Sequence, residues 1–225
     1  MKVLVTGGTG MLGAEVIRQA IADPVITEII VLVRKAPDIL DPKITTVIHN
    51  NFLDYSAIAK VFAGCKACIW CLGISQTQVS KQQYEVITYE YTIAAAKAML
   101  AANPGMRFIF VSGDGADTTE KSRTLFARIK GKTENALRAL PFSELVIARP
   151  GGIRPIHRNR NTAFVNKLVI PFFPLFELIT PSKVINSVQL AKALLYTAKS
   201  GVGKPLLENK DLKAIASHLE EATIK

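Results

Sequence analysis

The chain has 225 residues, 49% of them hydrophobic, so it can bury a full core and is not intrinsically disordered. Its 28 basic and 18 acidic side chains give a net charge of +10, which indicates an anionic partner: nucleotide phosphates, an acidic substrate, nucleic acid or an anionic membrane. The first predicted strand starts at Lys2, which leaves no room for a targeting peptide, and no apolar run is long enough to span a bilayer. We therefore expect a soluble cytoplasmic protein.

The first predicted strand runs directly into a glycine turn. The apolar run Val3–Val5 is followed by Gly7, Gly10 and Gly13, spaced G-x-x-G-x-x-G, and a helical pattern of apolar residues begins at Leu12. Strand, glycine turn and helix together are the context in which such a motif predicts a dinucleotide site. The glycines allow a tight turn and close approach of a pyrophosphate, and the helix N-terminus offers backbone N–H groups and a partial positive charge.

The second predicted strand, Ile29–Val33, ends in a basic pair. Arg34 and Lys35 follow it, and no acidic residue occurs before Asp38. In a dinucleotide fold an acid at this position binds the 2′-hydroxyl of NAD, whereas a basic group accommodates the 2′-phosphate of NADP. The sequence therefore favours NADP; the alternative is that Arg34 is a solvated charge at a strand end.

The alternation of strand and helix continues to about residue 150. Asp54 lies in the loop after the third predicted strand, where it could contact an adenine edge or cap the next helix. Beyond this loop, the apolar residues continue to alternate between strand and helix spacing. This predicts an α/β fold, a doubly wound parallel sheet of the Rossmann type, in a single domain 1–225 whose residues 151–225 add a small C-terminal extension: the substrate-side loop, a helix and the tail. The remaining predicted strands are Ile44–Ile48, Ala67–Leu72, Arg107–Val111 and Phe142–Ala148, the predicted helices are Tyr55–Phe62, Gln83–Ala102, Ser122–Leu140 and Ser187–Lys199, and the closing segment is Leu206–Ala222.

Three cysteines at a spacing of three, Cys65, Cys68 and Cys71, raise the question of a zinc or iron–sulfur site. On a strand this spacing places Cys68 and Cys71 on opposite faces, and no fourth soft ligand is evident. We interpret the cysteines as ordinary buried thiols and predict no metal site.

A basic cluster follows the sixth predicted strand, at the edge of the sheet where ligands bind. It is either a recognition surface for an anionic substrate or the cofactor phosphates, or a solvated basic loop. Nucleic acid is disfavoured, because the aromatic residues of the stretch Phe164–Phe176 are typical of a core or interface rather than a stacking platform. A peripheral membrane contact through this stretch is our last-ranked interpretation. The cluster comprises Arg149, Arg154, His157, Arg158 and Arg160.

Several motifs together define a resemblance that covers essentially the whole chain. The sequence resembles the atypical short-chain dehydrogenase/reductases of the NmrA-like kind, and within them the Tat-interacting-protein (oxidoreductase-like) group and its fungal relatives. The motifs are Thr6-Gly7-Gly8-Thr9-Gly10-Met11-Leu12-Gly13, Arg34, Cys71-Leu72-Gly73, Ser112-Gly113-Asp114-Gly115-Ala116-Asp117, Lys130-Gly131-Lys132-Thr133-Glu134, Arg149-Pro150-Gly151 and Leu206-Leu207-Glu208-Asn209-Lys210.

The resemblance implies NADP(H) as the cofactor and a defined set of contacts with it. The implied cofactor-binding residues are Gly7, Thr9, Gly10, Met11 and Leu12 at the turn, Arg34 at the 2′-phosphate, Asp54 at the adenine, Leu72, Gly73 and Lys130 at the ribose, and Pro150 and Gly151 after the sixth strand.

The catalytic half of the resemblance is incomplete. Reductases of this kind use a Tyr-x-x-x-Lys pair with the tyrosine as general acid, and a serine that orients the carbonyl. Lys130 matches the lysine, but Phe126 stands where the tyrosine belongs and has no proton to give. Ser112 is the candidate serine, although it could lie one place early and leave Gly113 at the catalytic position. Tyr84 is a possible substitute proton donor.

Two functions follow from this pattern. The first is an NADP(H)-binding oxidoreductase of an unknown carbonyl or quinone substrate. The second is a catalytically silent NADP(H)-sensing regulator that acts through a protein partner.

Overall fold

The computed structural model describes residues 1–157 and 181–224. Within these residues it has nine strands, six α-helices and short 3-10 and π-helical segments. The strands are β1 Lys2–Thr6, β2 Glu28–Val33, β3 Ile44–Ile48, β4 Ala67–Trp70, β5 Arg107–Val111, β6 Glu144–Arg149, β7 Gly152–Arg154, β8 Val184–Asn186 and β9 Leu206–Glu208. The helices are α1 Met11–Ala22, α2 Lys81–Glu85, α3 Tyr91–Ala102, α4 Leu125–Arg138, α5 Ser187–Ser200 and α6 Asn209–Ile224, with 3-10 helices Ser56–Phe62 and Pro181–Lys183 and a π-helical turn, Val86–Glu90, between α2 and α3.

Seven of the strands form one parallel sheet in the order β3-β2-β1-β4-β5-β6-β9. The strand order reverses between β1 and β4, so a crevice opens there at the carboxyl ends of the strands, where ligands bind in open α/β sheets. β7 and β8 pair with each other as a separate two-stranded parallel sheet. The doubly wound fold predicted from the sequence is confirmed.

Both faces of the sheet are covered, which explains why its inner strands β2, β1, β4 and β5 are mainly apolar. Side chains alternate along β1, so Val3 and Val5 pack with α1, α5 and α6, whereas Leu4 packs with α3, the end of α4 and the 3-10 helix Ser56–Phe62. All three side chains are fully buried. The core therefore consists of one layer on each side of the sheet, and the carboxyl edge is left open for a ligand.

The predicted strands are found, with changes at their boundaries. Of the predicted helices, Tyr55–Phe62 is the 3-10 helix Ser56–Phe62, and Gln83–Ala102 begins at Lys81 and is interrupted by the π-helical turn Val86–Glu90. The predicted helix Ser122–Leu140 begins only at Leu125, because the Asp117 carboxylate accepts hydrogen bonds from the backbone N–H groups of Thr119, Lys121 and Ser122 and holds them in a loop. The closing segment divides into β9, which pairs with β6, and α6.

Part of the predicted substrate side lies outside the described residues. This applies to Arg158 and Arg160 of the basic cluster and to the stretch Phe164–Phe176.

Candidate functional site

The glycine turn between β1 and α1 has the geometry that a dinucleotide site needs. Gly7 has φ +66°, and a Cβ there would lie 2.6 Å from the carbonyl oxygen of Cys71 at the end of β4. A Cβ on Gly13 would lie 2.2 Å from the Gly7 carbonyl oxygen. The turn is closed by a 2.8 Å hydrogen bond from the Gly10 N–H to Gly7 O, and α1 begins at the next residue. The absence of side chains at Gly7 and Gly13 thus brings strand, turn and helix N-terminus together at the crevice.

A cavity of about 950 Å³ opens at this turn. Five of the predicted cofactor-binding residues line it together: Gly7, Thr9, Met11, Arg34 and Leu72. Leu12, predicted to belong to the same set, is instead buried against the α1 side of the core. The other lining residues are Gly8, Ala14, Glu15, Arg18, Ile21, Leu32, Val33, Lys35, Ala36, Pro37, Asp38, Ile39, Asn50, Phe52 and His157.

At the end of β3 the structure brings different residues to the cavity than the sequence predicted. Asn50 and Phe52 line it. Asp54 is exposed, and its Oδ1 accepts a 2.9 Å hydrogen bond from the Ser56 N–H, which also holds the pKa of the carboxyl below its usual value. This contact is local, two residues along the chain, and Tyr55 rather than Asp54 is the N-cap residue of the 3-10 helix. The predicted contact of Asp54 with an adenine stays a prediction. Asn50 and Phe52 could have been found from their position directly after a strand at the carboxyl edge.

One cluster in the cavity was missed by sequence analysis. The buried Glu15 carboxylate of α1 accepts hydrogen bonds from Arg18, at 3.1 Å from Nε and a second contact from Nη2, from Gln19 at 2.7 Å and from His157 Nδ1 at 2.8 Å. Burial would raise the pKa of Glu15, but these hydrogen bonds outweigh it and hold the pKa below its usual range. The loop after β7 is therefore bound to α1 by two residues that line the cavity and are 142 positions apart in the chain.

Lys130 lies beneath the carboxyl end of β5. Its ammonium donates a 2.9 Å hydrogen bond to Val111 O and sits 4.7 Å from the centroid of the Phe110 ring. Burial lowers the pKa of Lys130 to about 8, and the nearby Glu134 carboxylate partly opposes this shift. The side chain is thus held by one backbone acceptor and one aromatic face at the end of the strand.

Ser112 is engaged in a buried network. Its hydroxyl donates a 2.6 Å hydrogen bond to Glu134, whose fully buried carboxylate also accepts from Arg149 at 2.9 and 2.6 Å and from Arg138 at 3.2 Å. The network joins β5, α4 and β6. The predicted role of Ser112 in orienting a carbonyl stays a prediction, and it would require the hydroxyl to give up its bond to Glu134.

The position of the missing tyrosine is packed against the adjacent loop. A Cβ on Gly113 would lie only 2.5 Å from Cζ of the Phe126 ring. The Phe126 N–H donates a 2.9 Å hydrogen bond to Gln76 Oε1 in the loop after β4, which joins that loop to the first turn of α4. Tyr84, the possible substitute donor, is 1% exposed, and burial raises the pKa of its phenol. Tyr84 is therefore a side chain of the interior in this structure.

Pro150 and Gly151 are held by the tail of the chain. The Pro150 carbonyl accepts a 2.8 Å hydrogen bond from the Asp114 N–H, and the Gly151 N–H donates to Asn209 Oδ1 at 2.8 Å. Asn209 Nδ2 in turn donates to Ser182 O at 2.6 Å. The asparagine of the Leu-Leu-Glu-Asn-Lys motif thus pins the two segments that flank residues 158–180.

Comparisons with known proteins define the class. A family model described as NAD(P)H-binding matches residues 7–164. The solved structure of DesIV, a dTDP-glucose 4,6-dehydratase from Streptomyces venezuelae with NAD bound, superposes with a TM-score of 0.69 over 98% of this chain and 81% of that chain; at 19% identity this shows the shared fold. The chain therefore belongs to the NAD(P)H-binding family, and its fold agrees with the resemblance to atypical short-chain dehydrogenase/reductases of the NmrA-like kind.

Several fungal proteins are similar to this chain in sequence. Protein FMP52, mitochondrial, of Eremothecium gossypii is 30% identical over 179 residues, which are 75% of this chain and 77% of that protein. Protein fmp52, mitochondrial, of Emericella nidulans is 29% identical over 156 residues and 66% of this chain; the match spans 65% of that protein, just under two thirds of its length.

These relatives contradict the predicted cytoplasmic location, because both are named mitochondrial. The prediction rested on the early start of the first strand, and that position does not determine the compartment. Among the described residues, no helix combines the length and apolar character needed to cross a bilayer.

Proposed function

We propose that the protein binds NADP(H) in the crevice at β1 and β4 and acts as an oxidoreductase on a carbonyl or quinone substrate. The observation that carries the proposal is that Arg34 and Lys35 line the same cavity as the glycine turn. A 2′-phosphate carries close to two negative charges, and charge-assisted hydrogen bonds to it are roughly twice as strong as neutral ones. Two adjacent cations after β2, with no acid between them and the strand, favour NADP(H) over NAD(H).

The cofactor preference is tested by titrating NADPH and NADH into the protein and into an Arg34→Asp variant. We expect the unaltered protein to bind NADPH at least about tenfold more tightly, which corresponds to about 1.4 kcal/mol, and the variant to lose this preference. Equal affinities of the two cofactors for the unaltered protein would refute the NADP(H) preference.

The reduced cofactor would supply a hydride. The protein must bind and orient the cofactor, and the reduced product must obtain one proton. Lys130, with one N–H donated to Val111 O, has two further N–H groups for a ribose hydroxyl. Phe126 has no proton to give, so the proton of the product would come from water. Quinones suit such a site, because a hydroquinone anion is a far weaker base than an alkoxide and needs no strong acid beside it.

The contact between Phe126 and Gly113 favours a second candidate function. With an aromatic ring packed where a tyrosine–serine pair would act, the protein would bind NADP(H) without turnover and report cofactor state to a protein partner. An assay of NADPH oxidation against a panel of quinones and aldehydes separates the two functions. Tight NADPH binding with no oxidation of the cofactor by any acceptor favours the regulator.

A mitochondrial location is proposed from the names of the fungal relatives. Cell fractionation with an epitope placed at the C-terminus tests it; recovery of the protein with matrix or membrane markers of mitochondria is expected.

A further inference from the structure

We propose that Arg18 is a second binding group for the 2′-phosphate of NADP(H) and contributes to cofactor specificity together with Arg34. The inference rests on the proposed NADP(H) function and goes beyond it, because neither the motifs nor the resemblance includes Arg18.

Arg18 lies in the same cavity as the strand-end cations. It is on the second turn of α1, and its neighbours Ala14 and Ile21 on that helix face line the cavity with it. The loop that follows β2, Arg34–Ile39, lines the same cavity. The 2′-phosphate of a nucleotide seated on the glycine turn is expected beside this loop. Arg18 and Arg34 therefore face one space from two different elements.

Hydrogen bonds to Glu15 orient the Arg18 guanidinium but engage only two of its N–H groups. Its Nε and Nη2 donate to the two oxygens of Glu15, and the Glu15 carboxylate is itself fixed by Gln19 and His157. The side chain of Glu15 is 3% exposed and that of Arg18 is 51% exposed. A guanidinium has five N–H groups, and two of those of Arg18 donate to Glu15; toward the residues that the structure describes, the other three make no hydrogen bond and can serve an anion. A planar group that is already oriented loses less entropy when it binds a phosphate.

The charges around the cavity leave a positive excess for an anion. Arg18, Arg34 and Lys35 are cationic, against the carboxylates of Glu15 and Asp38. Glu15 is buried behind Arg18 and accepts hydrogen bonds from it, so the carboxylate anchors the cation. The exposed charges in this part of the cavity are therefore mainly the cations Arg18, Arg34 and Lys35.

The experiment uses adenosine 2′,5′-bisphosphate and adenosine 5′-monophosphate, which differ only in the 2′-phosphate. Calorimetric titrations would be done with the unaltered full chain, with Arg18→Gln and with Arg123→Gln as a matched control, since Arg123 is an exposed arginine outside the cavity. We expect Arg18→Gln to weaken the bisphosphate by roughly tenfold or more and the monophosphate by less than about twofold. Arg123→Gln should leave both affinities unchanged. Thermal unfolding of each variant verifies that it is folded.

The outcomes separate this inference from the function on which it rests. An Arg18→Gln variant that is folded and keeps the full preference of the unaltered protein for the bisphosphate overturns the role of Arg18 and leaves NADP(H) binding intact. Equal losses for both ligands also overturn it, because they place Arg18 at the adenosine or 5′-phosphate. If the unaltered protein itself binds both ligands equally, the proposed NADP(H) function fails first.

Discussion

The ring of Phe126 packs directly against the backbone of Gly113: a Cβ on the glycine would lie 2.5 Å from the ring Cζ. Phe126 stands where resembling reductases are expected to carry the tyrosine, and Gly113 is the alternative to Ser112 for the position of their serine. The aromatic ring fills the room that a side chain at residue 113 would need. The phenylalanine at residue 126 and the glycine at residue 113 therefore form one packed unit.

The first prediction concerns Phe126→Tyr, which places a phenol at the position where the reductases carry one. Phe126 and Lys130 are one helical turn apart on α4, so in Phe126→Tyr the new hydroxyl would lie on the side of the helix that holds Lys130. General acid catalysis is typically worth about 10²–10⁴-fold, so the variant should show a gain in NADPH-dependent aldehyde reduction of about 10²-fold. Steady-state NADPH oxidation measures it.

Phe126→Leu serves as the control for this gain, because it changes the ring without adding a proton donor and should give no increase. High aldehyde reductase activity in the unaltered protein would contradict the argument, since a different donor would then already be at work. No gain in a Phe126→Tyr variant that still binds NADPH would show that the phenol does not reach the substrate.

The second prediction compares two glycine substitutions. In Gly113→Ala the new Cβ meets the far end of the Phe126 side chain, which can move, so the expected destabilisation is about 1 kcal/mol. In Gly13→Ala the new Cβ meets backbone, 2.2 Å from Gly7 O, so helix and turn must separate at a cost of about 3 kcal/mol or more. Chemical denaturation measures both. Adding Phe126→Leu should recover most of the loss in Gly113→Ala and none of the loss in Gly13→Ala; similar costs for the two glycines would contradict this assignment.

The third prediction concerns the asparagine of the tail. Asn209 is 5% exposed and joins Gly151 N–H and Ser182 O. Asn209→Ala leaves a donor and an acceptor without these partners, so we expect a loss of about 2–4 kcal/mol in the free energy of unfolding. Asn209→Asp keeps the acceptor for Gly151 but turns a carboxylate oxygen toward Ser182 O, so at pH 7 its loss should be at least as large and should shrink as the pH falls and the carboxyl is protonated. A loss in Asn209→Asp that does not change with pH would contradict this account.

The sequence predicts the parts of this fold that depend on local pattern. β3 and β5 have the predicted bounds, because runs of β-branched and aromatic residues favour strands. β5 is buried on both faces, whereas β3 is a partly exposed edge strand. β9 was not separated from the closing segment, because three residues are too few to carry a period and its pairing with β6 is a long-range contact.

The candidate site also has parts that the sequence predicts and parts that it does not. The glycine turn and Arg34 could be predicted, because a backbone motif and a strand end are local. The Glu15–His157 contact could not be predicted, since it joins residues 142 positions apart and each is an ordinary polar residue in its own segment. Ser112 matched a motif by position, but only the fold shows that Glu134 on α4 accepts its hydroxyl.

The last prediction concerns the pH dependence that Lys130 gives to stability. The pKa of Lys130 is lowered from 10.5 to about 8 in the folded protein, because burial disfavours its charge. Between these two values the unfolded chain binds more protons at this site than the folded chain, so the free energy of unfolding rises with pH across that window. Below pH 8 both states are protonated at this site and the buried charge costs the fold on the order of 3 kcal/mol.

Lys130→Met removes this charge while keeping a long apolar stem. We therefore expect Lys130→Met to be more stable than the unaltered protein at pH 7, by about 1–3 kcal/mol after loss of the bond to Val111 O, and the difference to shrink as the pH rises from 8 towards 10. Urea unfolding of both proteins at pH 7 and pH 9.5 measures the two differences, and the other lysines cancel in the comparison. The same variant should bind NADPH more weakly if Lys130 holds the ribose. A stability difference that stays constant between the two pH values would mean that Lys130 keeps an ordinary pKa in the folded protein.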